Sequence, residues 1–121
     1  MVNNIKIQKY IMNIEKAQRF NQGKLKWSLV DFRSLEDMVR VLEMGSIKYS
    51  PWNWTKGMPI SEITDSLMRH LVDFTKGEDI DEESGLSHIG HLLCNAMFLS
   101  YMMREKPSLD DRFKDNKYEK I

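Results

Sequence analysis

The residues best able to do chemistry lie between Arg69 and Asn95, in the run RHLVDFTKGEDIDEESGLSHIGHLLCN. Arg69 and His70 belong to one apolar helical segment. Glu78, Asp79, Asp81, Glu82 and Glu83 fill an acidic connector, and His88, His91 and Asn95 ride a second helical segment. Polar groups gathered this densely among apolar helices call for a charged ligand or a metal to satisfy them. Ser84, His88, His91 and Asn95 recur at i, i+4, i+7 and i+11, one stripe of a helix. A polar stripe on a buried helix needs partners. The candidates are His70, the connector carboxylates, and Glu36 and Glu43 of an earlier helix. Those two glutamates are seven apart and share a stripe. They could hold a divalent cation together, although solvated helix-edge glutamates are the commoner outcome.

Two further stretches have ligand-binding chemistry. SIKYSPWNWTKGMP carries Tyr49, Trp52 and Trp54 among Lys48, Asn53 and Lys56, and Pro51, Gly57 and Pro59 exclude a regular helix. Its rings and polar groups could stack on a nucleobase and hold a phosphate. The same pattern equally describes a loop pinned to the core by two tryptophans. RFNQGKLKW crowds Arg19, Lys24 and Lys26 beside Phe20 and Trp27. Composition favours a surface loop with snorkelling lysines there over a phosphate contact.

The elements that must position these groups are helical. Ser34 reads as an N-cap, with Asp37 at the capping-box position. Leu35, Met38, Val39 and Leu42 follow at helical spacing, and Gly45 is expected to end that helix. Ser61 reads as the next N-cap, for a helix with Ile63, Leu67, Leu71 and Phe74 on its apolar face, ending near Lys76 and Gly77. His70 falls on the same side, where a lone histidine is more often a satisfied core residue than a ligand. The final helix is expected to open at Glu83 or Ser84 and run to about Arg104, before Pro107. It is apolar on most sides, which predicts burial in a bundle or at a subunit interface. Ile7, Ile11 and Ile14 suit a short N-terminal helix. The expected organisation is a helical extension over 1–18, an all-α domain over 19–105, and a charged, loosely held tail over 106–121.

With 121 residues the chain suits one compact domain. Lysine plus arginine and aspartate plus glutamate both number 18, and this zero net charge argues against a dedicated nucleic-acid binder. No apolar run approaches the ~18 residues of a membrane span. The N-terminus lacks a signal-peptide pattern. A single Cys94 fits a reducing compartment, so a cytoplasmic protein is expected. Nine methionines suit adaptable packing at subunit contacts. His88-Ile89-Gly90-His91 spells the HIGH signature of class I aminoacyl-tRNA synthetases, but no βαβ pattern surrounds it and the match is coincidental.

The order RFNQGK, LEDMVRVLEMGSIKY, SLMRHL and GEDIDEESGLSHIGHLLCNAMFL resembles the phage and bacterial dATP/dGTP diphosphohydrolase-type proteins, relatives of the MazG-like all-α nucleoside triphosphate pyrophosphatases. The likeness covers roughly residues 19–103. It implies a compact bundle of about four helices with an aromatic-rich loop, completed as a homodimer or homotetramer. It also implies Mg²⁺, with Mn²⁺ an alternative, and cleavage of a purine deoxynucleoside triphosphate to monophosphate and pyrophosphate in the cytoplasm (the host's, for a phage protein). The MazG-like superfamily holds its metals on an ExxE helix followed by an ExxD helix. Here Glu36 and Glu43 have the wrong spacing, and His88-x-x-His91 stands where ExxD is expected.

On this resemblance Glu78, Asp79, Asp81 and Glu83 are expected metal ligands, with Glu36 and Glu43 as contributors. His70, His88, His91 and Glu83 are expected in catalysis. Lys24, Lys48 and Arg69 would neutralise phosphate charge, and Tyr49, Trp52, Asn53, Trp54 and Asn95 would hold the nucleoside. The alternative is a non-catalytic nucleotide sensor or assembly module, in which the polar stripe is a structural network.

Overall fold

The computed structural model describes residues 2–114. The fold is all-α. Among the described residues there are four α-helices: α1 (Val2–Glu15), α2 (Glu36–Lys48), α3 (Ile60–Thr75) and α4 (His88–Glu105). Single 3₁₀ turns punctuate the connections, and the described residues contain one isolated β-bridge, Ile80 with Ser87, and no strand. The chain divides into two compact units between Val30 and Asp31.

The first unit holds α1 and a turn at Asn21–Gly23. In that turn the Lys24 N–H donates to the Asn21 carbonyl at 3.1 Å, and Gly23 takes a positive φ of 81°. Ile7 and Ile11 of α1 are exposed; the side chain of Ile14 lies outside the described residues.

In the second unit α4 is the central helix, packed against both α2 and α3. α3 and α4 run antiparallel, because Ile60 and Ile63 meet Met102 at one end while His70 meets His88 at the other. Ile60, Ile63 and Met102 form the core, with Trp54, Met58, Phe98, Leu99, Tyr101 and Leu109 packed around it. α2 approaches α4 through Gly90, where an added Cβ would lie 2.5 Å from the Asp37 carbonyl oxygen. No side chain larger than hydrogen fits that contact.

Several boundaries differ from the sequence expectation, each for a local reason. α2 starts at Glu36, because Ser34 lies within a 3₁₀ turn (Phe32–Leu35) and its hydroxyl bonds the Asp31 carboxylate. α2 also continues through Gly45 to Lys48. A glycine costs a helix about 1 kcal/mol, which a helix of 13 residues tolerates here. α3 is not capped by its own Ser61. The Ser61 N–H instead donates to Asp111 Oδ1 at 2.8 Å, and its hydroxyl donates to Asp111 Oδ2, so the cap comes from the far side of the sequence. Residues Pro107–Asp111 are therefore not a loose tail: Leu109 packs on the core and Asp111 fastens the start of α3. Residues 115–121 of the expected tail lie outside the described residues.

Candidate active site

The connector from Glu78 to Ser87 is a tight, hydrogen-bonded loop. The Asp81 N–H donates to the Leu86 carbonyl at 2.8 Å, and the Gly85 N–H to the Asp81 carbonyl at 2.7 Å. The His88 N–H donates to the Asp79 carbonyl at 2.9 Å, and the Ser87 hydroxyl accepts the Ile89 N–H at 3.1 Å. Together these start α4 at His88, later than Glu83 or Ser84. Ser84 consequently sits in the loop, yet the fold returns it to the stripe predicted for it: its hydroxyl lies 2.7 Å from His91 Nε2.

Three imidazoles meet above this loop. His70 Nδ1 lies 2.9 Å from His88 Nδ1. The His70 and His91 rings stack with centroids 4.2 Å apart and planes 1° from parallel. Asp81 Oδ2 accepts the Ser84 N–H at 3.0 Å and stands 3.7 Å from His91 Nε2, a separation too long for a hydrogen bond. His88 is 1% exposed, and its Nε2 has no hydrogen-bond partner. Burial pushes the His70 pKa below its ordinary value, with Asp81 opposing and His88 and Arg69 adding to the shift. Burial likewise lowers that of His91, helped by His70 and opposed by Asp81. Both rings are thus biased toward the neutral form. At Asp81 burial raises the pKa, but the hydrogen bonds from Ser84 and the nearby imidazoles outweigh it, leaving the carboxyl below its usual range.

His70, His91 and Asp81 form part of the wall of an open cleft of ≈ 1580 Å³. Of the other residues predicted for the site, Glu43, Lys48, Tyr49, Trp52, Asn53, Trp54, Arg69, Glu83 and Asn95 also line it. Asn95 is buried and donates from Nδ2 to the Ser66 hydroxyl at 3.2 Å. The two tryptophans divide the roles that sequence left open. Trp54 packs against Phe98 and edge-on to Tyr101, both at 4.9 Å between centroids, so it pins the loop to the core. Trp52 is 70% exposed, in a left-handed conformation with φ 64°, and its ring lies beside the cleft, tilted against that of Trp54 at 5.8 Å between centroids.

The remaining predicted residues lie elsewhere. His88 is buried behind the wall. Lys24 belongs to the first unit. Glu36 pairs with Arg40 at 3.6 Å on the surface of α2. Glu78 and Asp79 are exposed in the connector, where Asp79 contributes its backbone carbonyl. The cleft also takes Lys56, named above with the aromatic loop, and Ser66, Asp73, Tyr101 and Arg104, to which the sequence assigned no role. Ser66, His70 and Asp73 are i, i+4 and i+7 on α3. A second polar stripe, facing that of α4, was the signal available.

Two groups of three side chains bring metal-ligating atoms within 4.8 Å of one another: His70, Asp81 and His88, and Asp73, Glu78 and His88. Both include an imidazole. Among the described residues no all-oxygen set of the kind Mg²⁺ prefers is assembled. The donors present fit a divalent cation that also accepts nitrogen.

A helical unit that sets imidazoles, a carboxylate, cations and aromatic rings around one cleft can receive a ligand with both anionic and planar parts. Residues 15–112 match the family described as dATP/dGTP diphosphohydrolase, N-terminal, and the chain belongs to that family. A dATP/dGTP diphosphohydrolase of Salmonella phage PMBT28 is 38% identical over 94 residues, covering 78% of this chain. The chain spans 32% of that relative's length. No solved structure matches it.

Proposed function

We propose that this chain carries the hydrolytic site of a deoxynucleoside triphosphate pyrophosphohydrolase acting on purine substrates, dATP or dGTP. Water would attack the α-phosphorus, the bond to the β-phosphate oxygen would break, and pyrophosphate and the monophosphate would leave. The observation that carries this reading is the convergence of neutral imidazoles and Asp81 on a cleft that also holds cations and an exposed tryptophan. His91, beside Asp81, is suited to take the proton of the attacking water. Arg69, Lys48, Lys56 and Arg104 are suited to neutralise the triphosphate, and Trp52, Tyr49 and Asn53 to hold the base. A divalent cation, Mn²⁺ or Mg²⁺, is the cofactor of this reading and when bound would polarise the α-phosphate.

The assembly proposed is a homodimer or homotetramer. It is supported by Met68, Leu71 and Val72 of α3, which are large, apolar and exposed together. No helix among the described residues is long and apolar enough to cross a membrane. A cytoplasmic site of action, in the host for a phage protein, completes the proposal.

The test is release of pyrophosphate and monophosphate from a panel of dNTPs and NTPs, with Mn²⁺ or Mg²⁺ and with EDTA as control. Cation-dependent turnover of dATP or dGTP is the expected result. Silence across the panel from folded protein that still binds a non-hydrolysable dNTP would replace the enzyme with a nucleotide-binding module. The departure from the ExxE and ExxD pattern supports that second reading.

A further inference from the structure

We propose that His70, His88 and Asp81 form a two-histidine, one-carboxylate site for a first-row transition-metal ion, of the Mn²⁺, Fe²⁺ or Co²⁺ class, in place of an all-oxygen Mg²⁺ site. This deepens the hydrolase reading and borrows from it only the purpose of the ion, because metal binding is measured without turnover.

The first argument is spacing. His70 Nδ1 and His88 Nδ1 stand 2.9 Å apart. Two nitrogens each about 2.1 Å from one ion and in adjacent octahedral positions are about 3.0 Å apart, whereas tetrahedral positions put them about 3.4 Å apart. The observed separation is that of a hydrogen bond between the two rings, and it is also compatible with the first arrangement. A ligand atom of Asp81 falls in the same 4.8 Å group. Asp81 is fixed for that role by the Ser84 N–H, which leaves lone pairs on its carboxylate uncommitted.

The second argument is the cost of burying His88. An imidazole that is 1% exposed with an unpartnered Nε2 is expensive to keep for a single contact with another histidine. A metal bond at Nδ1 would hold the buried ring more strongly than the His70 contact does, leaving Nε2 to a second partner. Metal-bound histidines characteristically give their other N–H to a carboxylate. Asp73 and Glu78 are the carboxylates nearest to hand for that role, since their oxygens group with a His88 nitrogen within 4.8 Å, although neither bonds Nε2 in this fold.

The third argument is donor chemistry. Imidazole suits iron, cobalt, nickel and zinc, and two histidines with one carboxylate leave coordination positions open for water or substrate oxygens. Those positions face the cleft, because His70 and Asp81 line it while His88 lies behind them. The open side is where the triphosphate of the proposed substrate would enter.

Metal-free protein, prepared by chelation and dialysis, would be titrated with Co²⁺ and followed by its visible d–d absorption and by calorimetry. In parallel, Mn²⁺-loaded protein would be probed by pulsed electron paramagnetic resonance for coupling to imidazole nitrogen. The expected result is one Co²⁺ per chain, retained against a large excess of Mg²⁺, with nitrogen coupling on Mn²⁺. His70→Ala, at a half-buried position, and Asp81→Asn should each weaken Co²⁺ binding by at least about 100-fold, and Asp73→Asn by about 10- to 100-fold. His88 is too buried to serve alone, because its variants can fail by unfolding. The proposal is overturned if Co²⁺ is displaced by Mg²⁺ as readily as from a surface carboxylate cluster. It is equally overturned if nitrogen coupling is absent, or if His70→Ala and Asp81→Asn bind Co²⁺ like the parent. Mg²⁺-supported turnover that survives His70→Ala would remove this metal site and leave the hydrolase standing.

Discussion

The two ends of the α3–α4 pair are built to opposite rules. At one end Ile60 and Ile63 meet Met102 in a sealed apolar cluster, closed over by Trp54, Phe98 and Leu109. At the other, the same two helices bring His70, His88 and His91 together over Asp81, with a buried nitrogen left without a partner. The apolar end gains stability for each atom it removes from water. The polar end gains little and leaves His88 Nε2 unsatisfied. The difference teaches that the first end holds the pair together so that the second can keep an arrangement it could not maintain alone.

That division can be broken one end at a time. The largest effect expected is on activity. His91→Ala should lower dNTP turnover by about 10²- to 10⁴-fold, as loss of a general base does, while the melting temperature changes little. Steady-state kinetics beside a thermal melt would show the separation, and a matching loss of stability would erase it. The reverse pattern is expected of Met102→Ala, which should reduce the free energy of unfolding by about 2–5 kcal/mol in urea titration. The metal stoichiometry of whatever remains folded should be unchanged. A smaller loss, about 1 kcal/mol, is expected when Asp111→Ala removes the distant cap of α3.

The last prediction concerns acid. Burial lowers the pKa of both His70 and His91, so the unfolded chain takes up their protons first as pH falls. Their contribution to stability is complete above the ordinary histidine value of about 6.5 and is lost as pH falls from there through the folded values. Thermal melts of metal-free protein should therefore decline below about pH 6.5, and His70→Gln with His91→Gln should flatten the decline. An unchanged profile in that double variant would place the acid sensitivity elsewhere.

Much of this was legible from residue spacing, because helical periodicity is local. The helices α2, α3 and α4, the polar stripe of His88, His91 and Asn95, and the aromatic loop all follow from patterns within one or two turns. What escaped depends on contacts between distant segments. Asp111 reaches Ser61 across 50 residues, and no local rule assigns a cap to such a pair. Gly45 reads as a stop, yet α2 runs on past it to Lys48. Ser66 and Asp73 matter because α3 turns them toward the cleft, and only the pairing of α3 with α4 shows which face is which. The roles of the two tryptophans separated for the same reason: Phe98 and Tyr101, which claim Trp54, lie more than forty residues further on.

Gly90 stands between His88 and His91, and its missing side chain lets α2 touch the backbone of α4. A helix held by such a contact cannot turn about its own axis without driving backbone into backbone. The bearing of both histidines is therefore indexed from outside the cleft, like a shaft located by a key. The angular precision of the imidazole pair is a property of the α2 contact on the opposite face, so it can be lost by a change that touches neither ring.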